Sequence, residues 1–195
     1  MNVVIIKYNA GNTQSVLFAL QRIGIDAVVS DDVETIANAD KIIFPGVGHA
    51  QAAMQYLTSK KLDQLIPTLN QPFLGICLGM QLMCNHIDEG NTNGLNIFDT
   101  DIKLFQSTHL KVPQVGWNTI YNYNSLLFEG LKENEFVYSV HSYYAPICKH
   151  TIAQTNYILP YSAALQKDNF YGVQFHPEKS SEVGASILKN FIEKP

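Results

Sequence analysis

The chain reads as an α/β protein: an open, mostly parallel central sheet flanked by helices, with a nucleophile elbow and extra antiparallel strands in its second half. Three observations predict this. Up to His86, short apolar or β-branched runs alternate with segments of helical period, the pattern of βα units. One of those runs, Phe73–Ile76, leads into Gly75-Ile76-Cys77-Leu78-Gly79, where a cysteine has glycine two residues away on either side. From Asn96 onward the helical period fades, and strand-like runs separated by turns replace it.

Taken in order, Val3–Lys7 is a β-branched run and predicts the first strand, and Tyr8–Asn12 is a polar turn with glycine. Thr13–Ile23 sets Val16, Leu17, Leu20 and Ile23 at helical spacing, and Gly24 is placed to end that helix. Ile25–Val29 reads as a second strand, and Asp31 as the cap of a short helix reaching Asn38. Lys41–Phe44 is a third strand, delivered to Pro45-Gly46-Val47-Gly48, and a helix follows from His49 to Ser59. Phe73–Ile76 is a buried strand and Leu78–His86 the helix behind the elbow. The strand candidates of the second half are Asp101–Phe105, Trp117–Tyr121, Phe136–His141, Thr151–Tyr157, Ala163–Gln166 and Phe170–Phe175, expected as antiparallel additions or layers on one edge. Ser180–Glu193 closes the chain as a helix with Val183, Ile187, Phe191 and Ile192 on its buried side. No repeat, low-complexity tract or linker interrupts this order, so residues 1–195 are read as one domain.

Composition narrows the function classes. A chain of 195 residues is long enough to bury a core, and 46% hydrophobic against 15% charged residues marks it as globular. The net charge is −4 and no Lys/Arg cluster occurs, which argues against nucleic acid as the main partner. The apolar stretches are too short to span a bilayer, and the N-terminal run lacks the positive start and the length of a signal peptide. Cys77, Cys84 and Cys148 have neither metal nor disulfide spacing, and a reducing cytoplasm is the expected location.

The chemistry converges on two segments. A strained strand-to-helix turn presents Cys77 at a helix N-terminus, where the dipole favours the reactive thiolate, and small flanking residues let a substrate approach. Gly172-Val173-Gln174-Phe175-His176-Pro177-Glu178 supplies a base and a carboxylate. Pro177 biases His176 to an extended conformation, in which residues two apart share a face, so Glu178 reaches the imidazole. His176 then takes the thiol proton and later returns it to a leaving group. Both segments follow strand-like runs, and the C-terminal edge of an open α/β sheet is where sites collect. Pro45-Gly46-Val47-Gly48 also follows a strand, and its glycines let backbone N–H groups turn toward a developing oxyanion. Each part has a plainer reading: a buried structural cysteine, a histidine paired at a sheet end, an ordinary turn. Cys84 and Cys148 have no flanking glycines and read as structural. Cys77, His176 and Glu178 lack a metal site's spacing, and no metal or cofactor is expected.

Gly75-Ile76-Cys77-Leu78-Gly79-Met80-Gln81 together with Gln174-Phe175-His176-Pro177-Glu178 resembles the class I (triad) glutamine amidotransferases. Pro45-Gly46-Val47-Gly48, Val112-Pro113-Gln114-Val115-Gly116-Trp117-Asn118, Val140-His141-Ser142-Tyr143-Tyr144 and Ala10-Gly11-Asn12 with Ser15-Val16 narrow the likeness to the glutaminase subunits of imidazole glycerol phosphate synthase. The likeness covers essentially the whole chain. It implies that Cys77 attacks the side-chain amide of glutamine to form a thioester, with His176 moving protons and Glu178 orienting it. The Leu78 amide and the segment around Val47 and Gly48 would form the oxyanion hole. Gly46, Gln81 and the backbone near Ser142 and Tyr143 would hold the substrate. Ammonia would pass to a (βα)₈ cyclase subunit that makes imidazole glycerol phosphate and an aminoimidazole carboxamide ribotide in histidine biosynthesis. Asn12, Trp117, Tyr138 and Lys179 are the candidates for that interface. Lys7 and Asn9 depart from the pattern, which usually has an acidic residue and a glycine there, and Lys7 changes the charge near the proposed docking face. The rival readings are a paralogous glutaminase feeding a sugar or polysaccharide amidation synthase, a stand-alone γ-glutamyl cysteine hydrolase, and a silent regulatory subunit. The Val-Pro-x-x-Gly-Trp-Asn segment speaks against the stand-alone hydrolase, and the intact Cys77, His176 and Glu178 against the silent subunit.

Overall fold

Four-residue strands with no polar alternation must be covered on both faces, and the chain builds its central layer from them. A computed structural model describes residues 1–8 and 12–194, so Asn9, Ala10 and Gly11 of the first predicted turn lie outside the described residues. In chain order, Val3–Ile6 (β1), Thr13–Arg22 (α1), Ala27–Ser30 (β2), Val33–Ala37 (α2), Lys41–Phe44 (β3), Ala50–Ser59 (α3), Leu62–Leu65 (α4), Phe73–Ile76 (β4) and Leu78–Leu82 (α5) form the alternating half. The second half contributes His86–Ile87 (β5), Thr92–Asn93 (β6), Lys103–Leu104 (β7), Gln114–Ile120 (β8), Glu135–His141 (β9), Tyr143–Tyr144 (β10), Thr151–Asn156 (β11), Pro160–Lys167 (β12), Phe170–Val173 (β13) and Ser181–Glu193 (α6).

The main sheet has seven strands in the order β11-β12-β13-β4-β3-β1-β2. Strands β2, β1, β3, β4 and β13 run parallel, while β12 and β11 add antiparallel at one edge. Side-chain alternation sorts each strand between two apolar layers. Val4, Ile6, Ile42 and Phe44 pack on one face, and Val3, Ile5, Ile43 and Ile76 on the other. Outside the main sheet, β8 and β9 pair antiparallel from Gln114↔His141 to Ile120↔Glu135. The added strands of the second half are therefore partly an extension of the sheet edge and partly a separate ribbon.

Strand bounds in the second half shift by a few residues and the short strands β5, β6 and β10 are additions to the sequence reading; four further differences each have a local reason. Asp32, not Asp31, caps α2, accepting from the Thr35 amide at 2.8 Å, whereas Asp31 accepts from the Tyr56 hydroxyl at 2.6 Å. The second strand begins at Ala27 rather than Ile25, because the Ile25 amide turns back to the Leu20 carbonyl. Leu62–Leu65 and the 3₁₀ turn Ile66–Thr68 carry too little period to be read as helical. The helix behind the elbow spans 5 residues rather than running to His86. A returning segment takes its last carbonyls: Leu95 donates to Leu82, Ile97 and Phe98 to Met83, and Asn96 to Cys84.

Candidate active site

The register of three adjacent strands brings the site together. Phe44 of β3 pairs with Gly75 of β4, and Ile76 of β4 pairs with Val173 of β13. The segments that follow these strands carry Pro45–Gly48, Cys77 and Gln174–Glu178, and they leave the same sheet edge side by side.

Cys77 adopts φ 52°, ψ −108°, a strained conformation for a residue with a side chain. The backbone around it is tied down: its N–H donates to Val173 at 2.7 Å and its carbonyl accepts from Gln81 at 3.0 Å. Missing side chains make room for this turn. A Cβ on Gly79 would lie 2.0 Å from the Phe44 carbonyl oxygen, and one on Gly46 would lie 2.4 Å from the Gly79 nitrogen. Gly75 and Gly172 are register partners, and Met83 and Met80 fill the space their side chains would need. Leu78 opens α5, so its N–H is a first-turn donor that no carbonyl of the helix can satisfy.

His176 and Glu178 are buried, with the imidazole only 1% exposed. Nδ1 lies 2.8 Å from Glu178 Oε1, which fixes the ring's orientation. Nε2 is buried and has no hydrogen-bond partner among the described residues. Burial alone would push the imidazole pKa down. The neighbouring Cys77 and Glu178 overcome burial and raise it to about 10, which keeps the ring charged at neutral pH.

Tyr8, read from sequence as part of a polar turn, is buried beneath this site. Its hydroxyl donates to the Pro45 carbonyl at 2.5 Å, and burial together with the nearby Cys77 holds its pKa well above the usual tyrosine range. Across from the elbow, Val47 is half-buried and Gly48 exposed at φ 116°. Their amides make no hydrogen bond among the described residues.

A cavity of about 290 Å³ joins these parts, lined among others by Val47, Gly48, Cys77, Leu78, Gln81 and Tyr143. It sits at the small end of ligand pockets. Gln81 is buried, and its Nε2 donates to the Tyr143 carbonyl at 3.2 Å and to Gln174 Oε1 at 3.0 Å. His141 Nδ1 lies 2.7 Å from the same carbonyl, and its Nε2 lies 3.1 Å from the buried Tyr161 hydroxyl. Burial lowers the His141 pKa to about 4, so the ring is neutral there. Ser142 also lines the cavity and its carbonyl accepts from Phe105 at 2.9 Å, while Gly46 lies beneath the Val47–Gly48 wall.

Glu89, which the sequence reading did not single out, lines the same cavity, and Oε2 accepts from the Ala50 amide at 2.7 Å. It is held there by the turn through Gly90, which packs against His49 and Gln51. Its only sequence signal is an acidic residue twelve positions after Cys77 (89 − 77).

The four residues expected at a docking face occupy different surroundings. Trp117 is 53% exposed and meets half-buried Tyr138 edge-on, with ring centroids 5.9 Å apart across β8 and β9. Tyr138 also accepts from the His176 amide and donates its own N–H to Ser180 Oγ, both at 2.9 Å. Lys179 is exposed, next to Glu178. The Asn12 side chain accepts from Ser15 and caps α1. Lys7 is exposed directly after β1. No helix of the described residues is long and apolar enough to cross a membrane.

The family model for class-I glutamine amidotransferases matches residues 4–194. The imidazole glycerol phosphate synthase subunit HisH of Bacteroides thetaiotaomicron is 56% identical over 195 residues, covering 99% of this chain and 100% of that protein. The HisH of Pectobacterium atrosepticum is 48% identical with the same coverage. Among solved structures, a putative GMP synthase protein from Thermoplasma acidophilum superposes with a TM-score of 0.75 at 19% identity, covering 98% of this chain and 92% of that one. A glutamine amidotransferase from Thermotoga maritima superposes with a TM-score of 0.63 at 18% identity, covering 99% and 81%. At those identities the superpositions speak for the fold alone. With a family model matching nearly its whole length and full-length relatives at about half identity, the chain belongs to the class-I glutamine amidotransferase family.

Proposed function

We propose that this chain, acting as one domain over residues 1–195, is the glutaminase subunit of an imidazole glycerol phosphate synthase. The observation that carries the reading is one small cavity lined by Cys77, by Leu78 at the start of α5, by Val47 and Gly48, and by Glu89. Glutamine enters with its α-ammonium against Glu89 and its amide over Cys77. The sulfur attacks the amide carbon, and the resulting oxyanion is received by the Leu78 N–H and by an amide of the Val47–Gly48 wall. His176 delivers a proton to the leaving nitrogen, ammonia departs, and a glutamyl thioester remains. Water, deprotonated by the same imidazole, hydrolyses the thioester to glutamate and frees the thiol. Glu178 holds the ring in the orientation both steps need.

The ammonia is used by a (βα)₈ cyclase subunit docked over the active-site face. The exposed Trp117 with its neighbours Val115 and Phe136 gives the β8–β9 ribbon an apolar outer surface suited to a protein partner. Oxyanion-wall amides that make no hydrogen bond among the described residues fit an enzyme whose activity waits for that partner.

The test is glutamate release from glutamine by the purified chain, alone and then with the cognate cyclase subunit and its nucleotide ligand. Low basal turnover and strong stimulation in the complex are expected. Full turnover by the lone chain, unchanged by the cyclase, would remove the partner-gated part. No release under any condition would remove the glutaminase reading itself.

A further inference from the structure

Gln174 lies in the interior at 1% exposure, two residues before His176, and its Nε2 stands 3.6 Å from Cys77 Sγ. Which end of its carboxamide faces the sulfur follows from a chain of obligate roles. The Tyr143 carbonyl can only accept, so Gln81 presents its NH₂ group there. The second hydrogen of that NH₂ goes to Gln174, which must therefore offer its oxygen to Gln81. The Gln174 NH₂ group is left to point at Cys77.

Among the described residues the sulfur has one other polar contact of this kind, the Val140 carbonyl at 3.9 Å, which can only accept from a neutral S–H. The two contacts pull in opposite directions. The carbonyl favours the thiol, whereas an N–H donor favours the thiolate. The donor is the shorter of the two and is anchored at its far end by Gln81, so it is the one whose direction is fixed.

We propose that Gln174 is a further catalytic residue, which holds the Cys77 sulfur as a thiolate by a neutral N–H···S hydrogen bond and ties it, through Gln81, to the Tyr143 carbonyl that borders the substrate cavity. This rests on Cys77 being the nucleophile. The Cys77 proton already resides on His176 before the attack. Gln174 exchanges no proton and keeps its donor aimed at the sulfur until the C–S bond forms.

The experiment follows Cys77 alkylation by iodoacetamide against pH, read by peptide mass spectrometry so that Cys84 and Cys148 are counted separately. Wild type is compared with Gln174→Met, which keeps length but has no donor, and with Gln174→Glu. The expected result for Gln174→Met is alkylation about tenfold slower at neutral pH with an unchanged alkaline plateau, as loss of one charge-assisted hydrogen bond requires. Gln174→Glu should be slower still, since a carboxylate opposes the thiolate. In glutamate release, kcat should fall about tenfold while KM moves less than about twofold. A folded variant whose alkylation profile overlays the wild type would overturn the proposal. In case neither variant folds, the wild-type Gln174 side-chain amide protons are followed by NMR. Their shifts must titrate with the same midpoint as Cys77 alkylation, and flat shifts would overturn the proposal. Alkylation does not depend on glutamine, so a shifted profile without glutaminase activity would keep the hydrogen bond and separate its fate from that of the proposed reaction.

Discussion

Around Cys77 the backbone is committed on every side: to Val173, to Gln81, and to a floor of glycines with no room for a methyl group. Across the same cavity the Val47 and Gly48 amides are uncommitted among the described residues, and only the Pro45 carbonyl is held, by Tyr8. The difference teaches how the work of a site is divided. Attack geometry depends on one atom and is set by the fold. Oxyanion stabilisation needs donors aimed at an atom that exists only in the reaction, so the wall proposed to supply them gains from being completed by a ligand or a partner.

The most severe break of this comparison is Cys77→Ala. It is expected to lower glutamine hydrolysis by on the order of 10⁴-fold or more while leaving ammonia-dependent synthesis by the partner intact. Loss of both, measured in the same complex, would mean that Cys77 serves structure. Next come paired alanines on the two walls. Gly79→Ala places a methyl against the Phe44 carbonyl and should cost about 3 kcal/mol in denaturant unfolding. Gly48→Ala, exposed but at positive φ, should cost only about 1 kcal/mol. Equal costs would show that the elbow is no tighter than the wall it faces.

The committed side also carries a pH signature. His141 is depressed to about 4 by burial and faces Tyr161, with the His176 charge nearby. Above its unfolded pKa both states are neutral and nothing is gained or lost. As pH falls below about 6.5 the unfolded chain takes up a proton that the folded one refuses, so stability declines by about 2 kcal/mol at pH 5. His141→Gln should remove that part of the decline when unfolding free energies at pH 7 and pH 5 are compared with wild type. The smallest effect on stability belongs to the ribbon. Trp117→Ala should change unfolding by less than about 0.5 kcal/mol, yet reduce stimulation by the cyclase about tenfold or more. Unaltered stimulation would move the docking face elsewhere.

The elbow and its neighbours were legible because their information is local. A glycine two residues either side of Cys77, and a proline between His176 and Glu178, constrain backbone geometry within a few residues, and β3 and β4 match their predicted bounds. What escaped depends on distant chain. Glu89 belongs to the cavity only because the turn through Gly90 carries it back against α3. The early end of α5 is decided by Leu95–Phe98, which compete for its carbonyls, and no propensity at Met83–His86 announces this. Tyr8 looked like a turn residue because nothing in its own sequence reveals Phe44, against which its ring packs at 5.3 Å. The choice between Asp31 and Asp32 turned on which carboxylate Tyr56 would claim.

The glycine floor also decides how portable the elbow is. Grafting Gly75–Gln81 into another α/β scaffold would transplant only part of a three-piece object. Gly46 after β3 and Gly172 on β13 must come with it, because any side chain at those places collides with Gly79 and Met80. The smallest unit that can be moved is a spatial patch drawn from three stretches of chain, and a designer who copies the linear motif alone would inherit the cysteine without the turn that exposes it.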